Sequence, residues 1–81
     1  MRGHDLSPLD RAIGQEASAR YEAALAELKP PEREAIIGRI ELGYDYDELA
    51  AALGKPSGEA ARLAVRRALL RLAEVMRDAR R

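Results

Sequence analysis

Five arginines in the last third of the sequence are spaced so that one helix would place several of them on one side. They are Arg62, Arg66, Arg67, Arg71 and Arg77. At about 100° per residue, Arg62, Arg66 and Arg77 lie opposite the apolar stripe of the same segment. Guanidinium groups on an exposed helix face can bind phosphates and the edges of guanine. The spacing therefore favours a surface that contacts nucleic acid.

Four further residues accompany the arginines and are candidates for DNA contact. They are Lys55, Ser57, Glu59 and Leu63. Lys55 lies in a predicted turn, from which an ammonium group can reach the DNA backbone. Glu59 is suited to accept a hydrogen bond from a cytosine amino group. A carboxylate in the first turn also favours the helix dipole, and we prefer this second explanation for Glu59.

Leu63 and Leu70 fall on nearly one line of the same helix, opposite its apolar stripe. An exposed leucine pair on a basic face is unusual. We expect Leu63 to meet a thymine methyl group in the major groove. We expect Leu70 to contact a protein partner, which includes a second copy of this chain. The alternative is that the N-terminal helix folds over both leucines and buries them.

Residue types that serve catalysis or metal binding are sparse. The sequence has no cysteine, and its single histidine, His4, has no second ligand nearby, so we expect no metal site. Carboxylates such as Glu32 and Glu48 stand at predicted helix starts, where negative charge is stabilised. The sequence contains no glycine-rich phosphate loop and no nucleophile elbow. We therefore expect neither an enzyme nor a bound cofactor.

Charge is distributed unevenly, although 14 basic side chains balance 14 acidic ones. Residues 1–54 carry six Lys or Arg and eleven Asp or Glu, whereas residues 55–81 carry eight and three. Because charges act within a Debye length of about 10 Å, the basic segment at residues 55–81 favours a nucleic-acid partner despite the neutral sum.

No apolar run approaches the roughly 20 residues of a membrane span, and no signal peptide is evident, so we expect a soluble cytoplasmic protein.

Helices must position these residues, and the first two are marked by caps and prolines. Ser7 and the following proline predict the start of the first helix. Paired prolines end it, and the second helix begins near Pro31 and stops at Gly43. The second helix carries Ile36, Ile37 and Ile40 as apolar positions. The predicted apolar face of the first helix consists of Leu9, Ile13, Ala17, Tyr21, Leu25 and Leu28.

The third and fourth helices form a helix-turn-helix pattern. Asp45 and Glu48 predict a capping box for the short third helix, and a glycine-containing turn follows at residues 54–57. Ser57 caps the fourth helix, which runs to about Asp78. Its inward stripe consists of Ala61, Val65, Ala68, Leu72, Val75 and Met76. The sequence therefore predicts an all-α, four-helix domain over residues 7–81 with a C-terminal helix-turn-helix, preceded by a flexible tail at residues 1–6.

Several short runs occur together in one known family. They are Tyr-Glu-Ala-Ala-Leu at 21–25, Pro-Pro-Glu-Arg-Glu at 30–34, Gly-Tyr-Asp-Tyr-Asp-Glu-Leu-Ala at 43–50, Ala-Leu-Gly at 52–54 and Arg-Ala-Leu-Leu-Arg-Leu at 67–72. With these runs, residues 28–72 resemble region four of bacterial sigma factors, especially the extracytoplasmic-function group. The resemblance implies that the last helix reads the −35 element of double-stranded promoter DNA. It also implies docking on the flap of the RNA polymerase β subunit.

The resemblance has one departure and leaves alternatives. In the family, a Gly-Thr-Val-x-Ser-Arg-Leu run opens the recognition helix, and after a one-residue shift its arginine falls on Ala64. Because no region-two sequence stands ahead of the domain, we expect either part of a longer factor or a free-standing regulatory domain. The alternative function is a sigma-like module that binds an anti-sigma factor or another regulator without a DNA role. An autonomous dimeric repressor is a third hypothesis.

Overall fold

The computed structural model describes residues 7–78. α1 spans Pro8–Ala26, α2 Pro30–Ile36, α3 Tyr46–Leu53 and α4 Gly58–Asp78, and a π-helical segment, Ile37–Glu41, continues α2. The predicted all-α architecture of four helices, with a helix-turn-helix at its C-terminal end, is confirmed. The predicted tail at residues 1–6, which contains His4, lies outside the described residues.

The helix starts follow local hydrogen-bond chemistry. At α1 the Ser7 hydroxyl accepts a hydrogen bond from the backbone N–H of Asp10 at 3.1 Å, as the capping pattern predicts. At α2 the Glu32 carboxylate accepts from the backbone N–H of Lys29 at 3.0 Å. Pro30 occupies the first position of α2, where a missing N–H costs nothing. The paired prolines thus separate the first two helices, as predicted.

The π-helical segment after α2 brings the chain into the core beside α3. Its wider turn is closed by a hydrogen bond from Leu42 N to Ile37 O at 2.9 Å. Gly38 is buried there, and a Cβ at this position would lie 2.5 Å from Cδ1 of Leu49. A side chain at residue 38 would therefore collide with α3. The segment ends before Gly43, whose φ of 73° is a left-handed conformation that glycine adopts freely.

α4 is the central helix of the core, because α1, α2 and α3 all pack against it. Ile36 of α2 and Leu49 of α3 are its largest fully buried neighbours. α4 itself buries Ala61, Val65, Ala68, Leu72 and Val75, as the stripe predicts. The buried side of α4 is thereby fixed, and so is the side that faces away from the core.

The prediction for α1 was wrong along its first half. Leu9 and Ile13 are 69% and 58% exposed, and Ala17 is exposed as well. Burial is confined to the other end of the helix, at Ala24 and Leu25. No other part of residues 7–78 covers the first half, so its apolar side chains face solvent. For the same reason Ile40, an apolar position of the second predicted helix, is 57% exposed.

Three hydrogen bonds hold the last turns of α1. Arg33 Nε donates to the carbonyl of Leu25 at 3.1 Å, and Arg33 Nη2 donates to the carbonyl of Leu28 at 3.0 Å. The Tyr21 hydroxyl donates to Glu41 Oε2 at 3.0 Å. Burial first, and then this bond to a carboxylate, raises the pKa of the Tyr21 hydroxyl. These contacts anchor the C-terminal end of α1 to α2 and the π-helical segment.

Candidate nucleic-acid interface

The corner between α3 and α4 is built from two caps and a left-handed glycine. Asp45 Oδ1 accepts from Glu48 N at 2.7 Å, and Glu48 Oε1 accepts from Asp45 N at 2.8 Å, which completes the predicted capping box. Gly54 has φ 70° and ends α3, and Lys55 N then donates to Ala50 O at 2.8 Å. These local bonds set the path from α3 into the turn.

Ser57 and Gly58 fix how α4 leaves the turn. The Ser57 hydroxyl accepts from Ala60 N at 3.1 Å and caps α4 as predicted. A Cβ on Gly58 would lie 2.5 Å from Asp47 Oδ1 and 3.5 Å from Asp47 N. The first turn of α4 therefore lies against the first turn of α3, and a side chain at residue 58 would require the exposed Asp47 carboxylate to move. This role of Gly58 was not predicted, although a glycine directly after a serine cap is a visible signal.

The seven residues predicted to contact DNA are all exposed around the N-terminal half of α4. At about 100° per residue, Arg62 and Arg66 lie along one edge of the exposed side and Leu63 lies between them and Arg67. Lys55 and Arg67 line one shallow depression, together with residues of α2. The predicted residues therefore fall into two basic edges of α4 with a leucine between them.

Glu59 and Arg62 form a close ion pair on the first of these edges. Arg62 Nε donates to Glu59 Oε1 at 3.0 Å, and Arg62 Nη2 donates to Oε2 at 2.6 Å. This hydrogen bonding lowers the pKa of the Glu59 carboxyl and raises the pKa of the Arg62 guanidinium. Further along α4, Arg71 and Glu74 are joined by a single contact of 3.3 Å. Within residues 7–78, Arg66 and Arg67 have no acidic partner.

The exposed leucines of α4 are not covered by α1. Leu63 is 37% exposed and Leu70 is 59% exposed, so the alternative in which the N-terminal helix buries both does not hold. Leu69 beside them is partly exposed too. α1 instead meets the last part of α4, where the two helices flank an open groove lined by Ala24 and Met76 among others. The α4 surface that carries Leu63 and Leu70 remains accessible.

Arg39 supports the corner from outside and was not predicted. Its Nη1 donates to the carbonyl of Tyr44 at 2.8 Å, and its guanidinium carbon lies 4.3 Å from the centre of the Tyr46 ring. It thus holds the segment that leads into α3. Arg33 plays a comparable part at the end of α1. Nothing in the spacing of either arginine distinguishes it from a solvated one, so only their surroundings reveal these roles.

Between residues 7 and 78, no three potential metal ligands of the His, Cys, Asp or Glu types come together. The carboxylates of Glu32, Asp45 and Glu48 are engaged in the helix caps already described. Over the same residues, no helix is both long enough and apolar enough to cross a lipid bilayer.

Comparison with protein families gives a match. The family model described as "Sigma-70, region 4" matches residues 18–72. The matched segment begins in the middle of α1, contains α2 and the whole α3–α4 corner, and ends within α4 at the last run that carries the sequence resemblance. Searches of curated proteins and of solved structures give no match to the chain.

Proposed function

The chain belongs to the sigma-70 region 4 family, and on that premise we propose that it is a DNA-binding module of transcription initiation. In this proposal α4 enters the major groove at the promoter −35 element, and another part of the helical surface docks on the β-subunit flap of RNA polymerase. The family generally binds this promoter element and RNA polymerase. A domain with this role acts in the cytoplasm.

The position of Arg66 is the observation that carries the proposal. Arg66 is exposed opposite the buried stripe of α4 and lies within the first three turns of the helix. Within residues 7–78 it has no acidic partner, so its guanidinium is available to DNA. The N-terminal half of a recognition helix lies deepest in the groove. We therefore assign base contact to Arg66 and not to Arg77, which follows three turns later.

The neighbouring residues receive roles that match their positions. Leu63, between the two basic edges, faces the groove floor and contacts a thymine methyl group. Lys55 and Arg67, which share one depression, bind phosphates on the strand at that edge. The Ser57 hydroxyl uses its oxygen as a cap acceptor and keeps its proton for a phosphate. The phosphate contacts position α4, whereas Arg66 and Leu63 read bases.

Titration of the 81-residue chain with duplex DNA tests the proposal. A duplex selected from a random library and a scrambled duplex are compared by fluorescence anisotropy at about 50 and 200 mM salt. We expect weak, strongly salt-dependent binding with preference for the selected duplex. Arg66→Ala should cost about 1 to 3 kcal/mol on that duplex, and the control Arg77→Ala should cost less. Equal losses from the two variants would contradict a docked helix.

Leu70 is assigned to a protein contact, because it is exposed on α4 beyond the part that enters the groove. Leu70→Ser should weaken binding to core polymerase or self-association and leave DNA binding of the isolated chain unchanged. Leu63→Ser is the matched variant and should weaken DNA binding with little loss of stability. If both variants merely lowered the melting temperature by similar amounts, neither leucine would be a contact residue.

A protein-interaction module is the second candidate. The neutral formal charge of the chain and the exposed leucines favour a sigma-like domain that binds an anti-sigma factor or another regulator without DNA. This alternative predicts no preference for any duplex at about 50 mM salt, even after selection from a random library. The same titration therefore separates the two functions.

A further inference from the structure

The ion pair of Glu59 and Arg62 leaves one particular edge of the guanidinium free. The two hydrogen bonds to Glu59 use Nε and one N–H of Nη2, at 3.0 and 2.6 Å. A guanidinium carries five N–H groups, so three remain, all at the Nη1 and Nη2 end. That end can hold two acceptors side by side, as guanine O6 and N7 require. The carboxylate therefore restricts Arg62 without blocking the groups that recognise guanine.

The same pair changes what Arg62 contributes to non-specific attraction. A carboxylate in hydrogen-bond contact lies well inside the Debye length of about 10 Å, so the pair acts on distant phosphates as a neutral unit. Non-specific binding depends on the number of phosphates that free cations neutralise. Arg66 and Arg67 form no ion pair within residues 7–78, although Glu32 and Glu34 line the same depression as Arg67. Arg62 is thus set apart from its neighbours electrostatically.

We propose that Glu59 is a further specificity-determining residue of α4: it cancels the attraction of Arg62 for phosphate and aims the free end of Arg62 at a guanine. The inference rests on the proposed DNA-binding function and adds the mechanism of its selectivity. Glu59 acts through Arg62 and is therefore a positioning residue. On a sequence without the guanine, the pair stays closed and Arg62 adds nothing to affinity.

The second ion pair of α4, between Arg71 and Glu74, has a different geometry and serves as a control. Arg71 and Glu74 are joined by one contact of 3.3 Å, and the carboxylate follows the arginine in sequence instead of preceding it. Glu74 lies 15 residues, or about 22 Å along the helix, from Glu59. That distance exceeds the Debye length. Glu74→Gln therefore removes the same charge from the same helix without reaching the proposed reading edge.

The experiment compares the full chain with Glu59→Gln, Glu74→Gln and the double variant Glu59→Gln/Arg62→Ala, which removes both charges of the pair. Affinity is measured over a series of salt concentrations for a duplex selected from a random library with the unaltered chain, and for a scrambled duplex. The selected duplex is also made with 7-deazaguanine at each guanine in turn, which removes the N7 acceptor. Thermal unfolding followed by circular dichroism confirms that every variant is folded.

Each variant has its own expected signature. Glu59→Gln should bind the scrambled duplex severalfold more tightly, with a salt slope steeper by about one. Its preference for the selected duplex should fall by a similar factor. The double variant should lose roughly tenfold on the selected duplex with its salt slope unchanged, because its charge equals that of the neutral pair, and it should no longer respond to one particular 7-deazaguanine. Glu74→Gln should keep the preference of the unaltered chain.

Two results would overturn the inference. One is a Glu59→Gln variant with unaltered preference and salt slope. The other is a double variant that loses equally on both duplexes while its slope falls by about one, which would make Arg62 a phosphate contact. Either result leaves the proposed function standing if the unaltered chain still prefers the selected duplex. Failure of the unaltered chain to prefer any duplex would instead remove the proposed function itself.

Discussion

Helices α1 and α4 are of similar length, 19 and 21 residues. Each follows a serine whose hydroxyl accepts a hydrogen bond from the backbone N–H three residues later. Yet α4 buries residues from Ala61 to Val75, whereas α1 buries only Ala24 and Leu25. The difference lies in their neighbours, because three helices pack on α4 and only the last turns of α1 reach another element.

The contrast between α1 and α4 separates two properties of a helix: which side can be buried, and whether another element buries it. A 3.6-residue period identifies the side of a helix that would be buried against a partner. It does not say that the partner exists within the same chain. The Cα radius of gyration of 15.0 Å exceeds the roughly 12 Å of a compact chain of this length, which fits an α1 that projects from the core. Predictions for α4 therefore held where those for α1 did not.

Substitution of one leucine in each helix should give the largest difference in unfolding free energy. Leu72→Ala in α4 should cost about 2 to 5 kcal/mol of unfolding free energy, because it empties a packed site. Leu9→Ala in α1 should change it by less than about 0.5 kcal/mol, because Leu9 already faces solvent. Urea unfolding followed by circular dichroism measures both. Comparable losses would mean that α1 is covered in solution, and concentration dependence would then identify self-association.

Replacement of a glycine by alanine should have opposite effects on stability in the core and in α1. Gly38→Ala places a Cβ 2.5 Å from Leu49 and should destabilise the domain by about 1 to 3 kcal/mol. Gly14→Ala in α1 meets nothing within 4 Å and should raise helix content, with a gain of up to about 1 kcal/mol. Far-ultraviolet circular dichroism and thermal melting report the two effects. A neutral Gly38→Ala would show that the Leu49 side chain can rotate away without loss.

The parts of the fold that could be predicted are those that residues close in sequence determine. Ser7, the Asp45–Glu48 box and Ser57 satisfy backbone N–H groups within three residues, so their roles could be inferred from spacing alone. The buried stripe of α4 was also predictable, because its period is regular. The π-helical segment was not, since it depends on how closely Gly38 approaches α3.

The candidate site shows the same limit. The sequence predicted which residues of α4 would be exposed, because they alternate with the buried stripe. It did not predict that Arg62 is paired and Arg66 is not, although a separation of three residues permits the Glu59–Arg62 contact. The positions of Arg33 and Arg39 could not be inferred either, since each bonds to carbonyls set by tertiary packing.

Removal of the serine cap of α4 or of α1 should give a smaller difference in stability. Ser57→Ala should cost about 1 kcal/mol, because the first turn of α4 is packed against α3 and unfolds with the whole domain. Ser7→Ala should cost less, because the first turns of α1 are exposed and can fray without disturbing the core. Thermal melting compares the pair, and hydrogen exchange at α1 detects the fraying. Equal shifts in melting temperature would indicate that α1 unfolds together with the core.

The smallest expected effect is a change in the pH dependence of stability, which tests how the C-terminal end of α1 is anchored. Burial and the bond to Glu41 raise the pKa of Tyr21 above its unfolded value of about 10, so the folded state holds the proton more tightly. The resulting stabilisation is complete below pH 10 and is lost as the pH rises through the folded pKa.

Because Tyr21 is partly exposed, the stabilisation that its raised pKa gives at neutral pH should be below about 1 kcal/mol. The stability of Tyr21→Phe should therefore fall less than that of the unaltered chain as the pH rises above about 10. Tyr46→Phe is the matched control for loss of a tyrosine hydroxyl, because the Tyr46 hydroxyl has no hydrogen-bond partner within residues 7–78 and phenylalanine keeps the ring that contacts Arg39. Identical alkaline profiles for Tyr21→Phe and the unaltered chain would show that the bond to Glu41 does not hold α1 in solution.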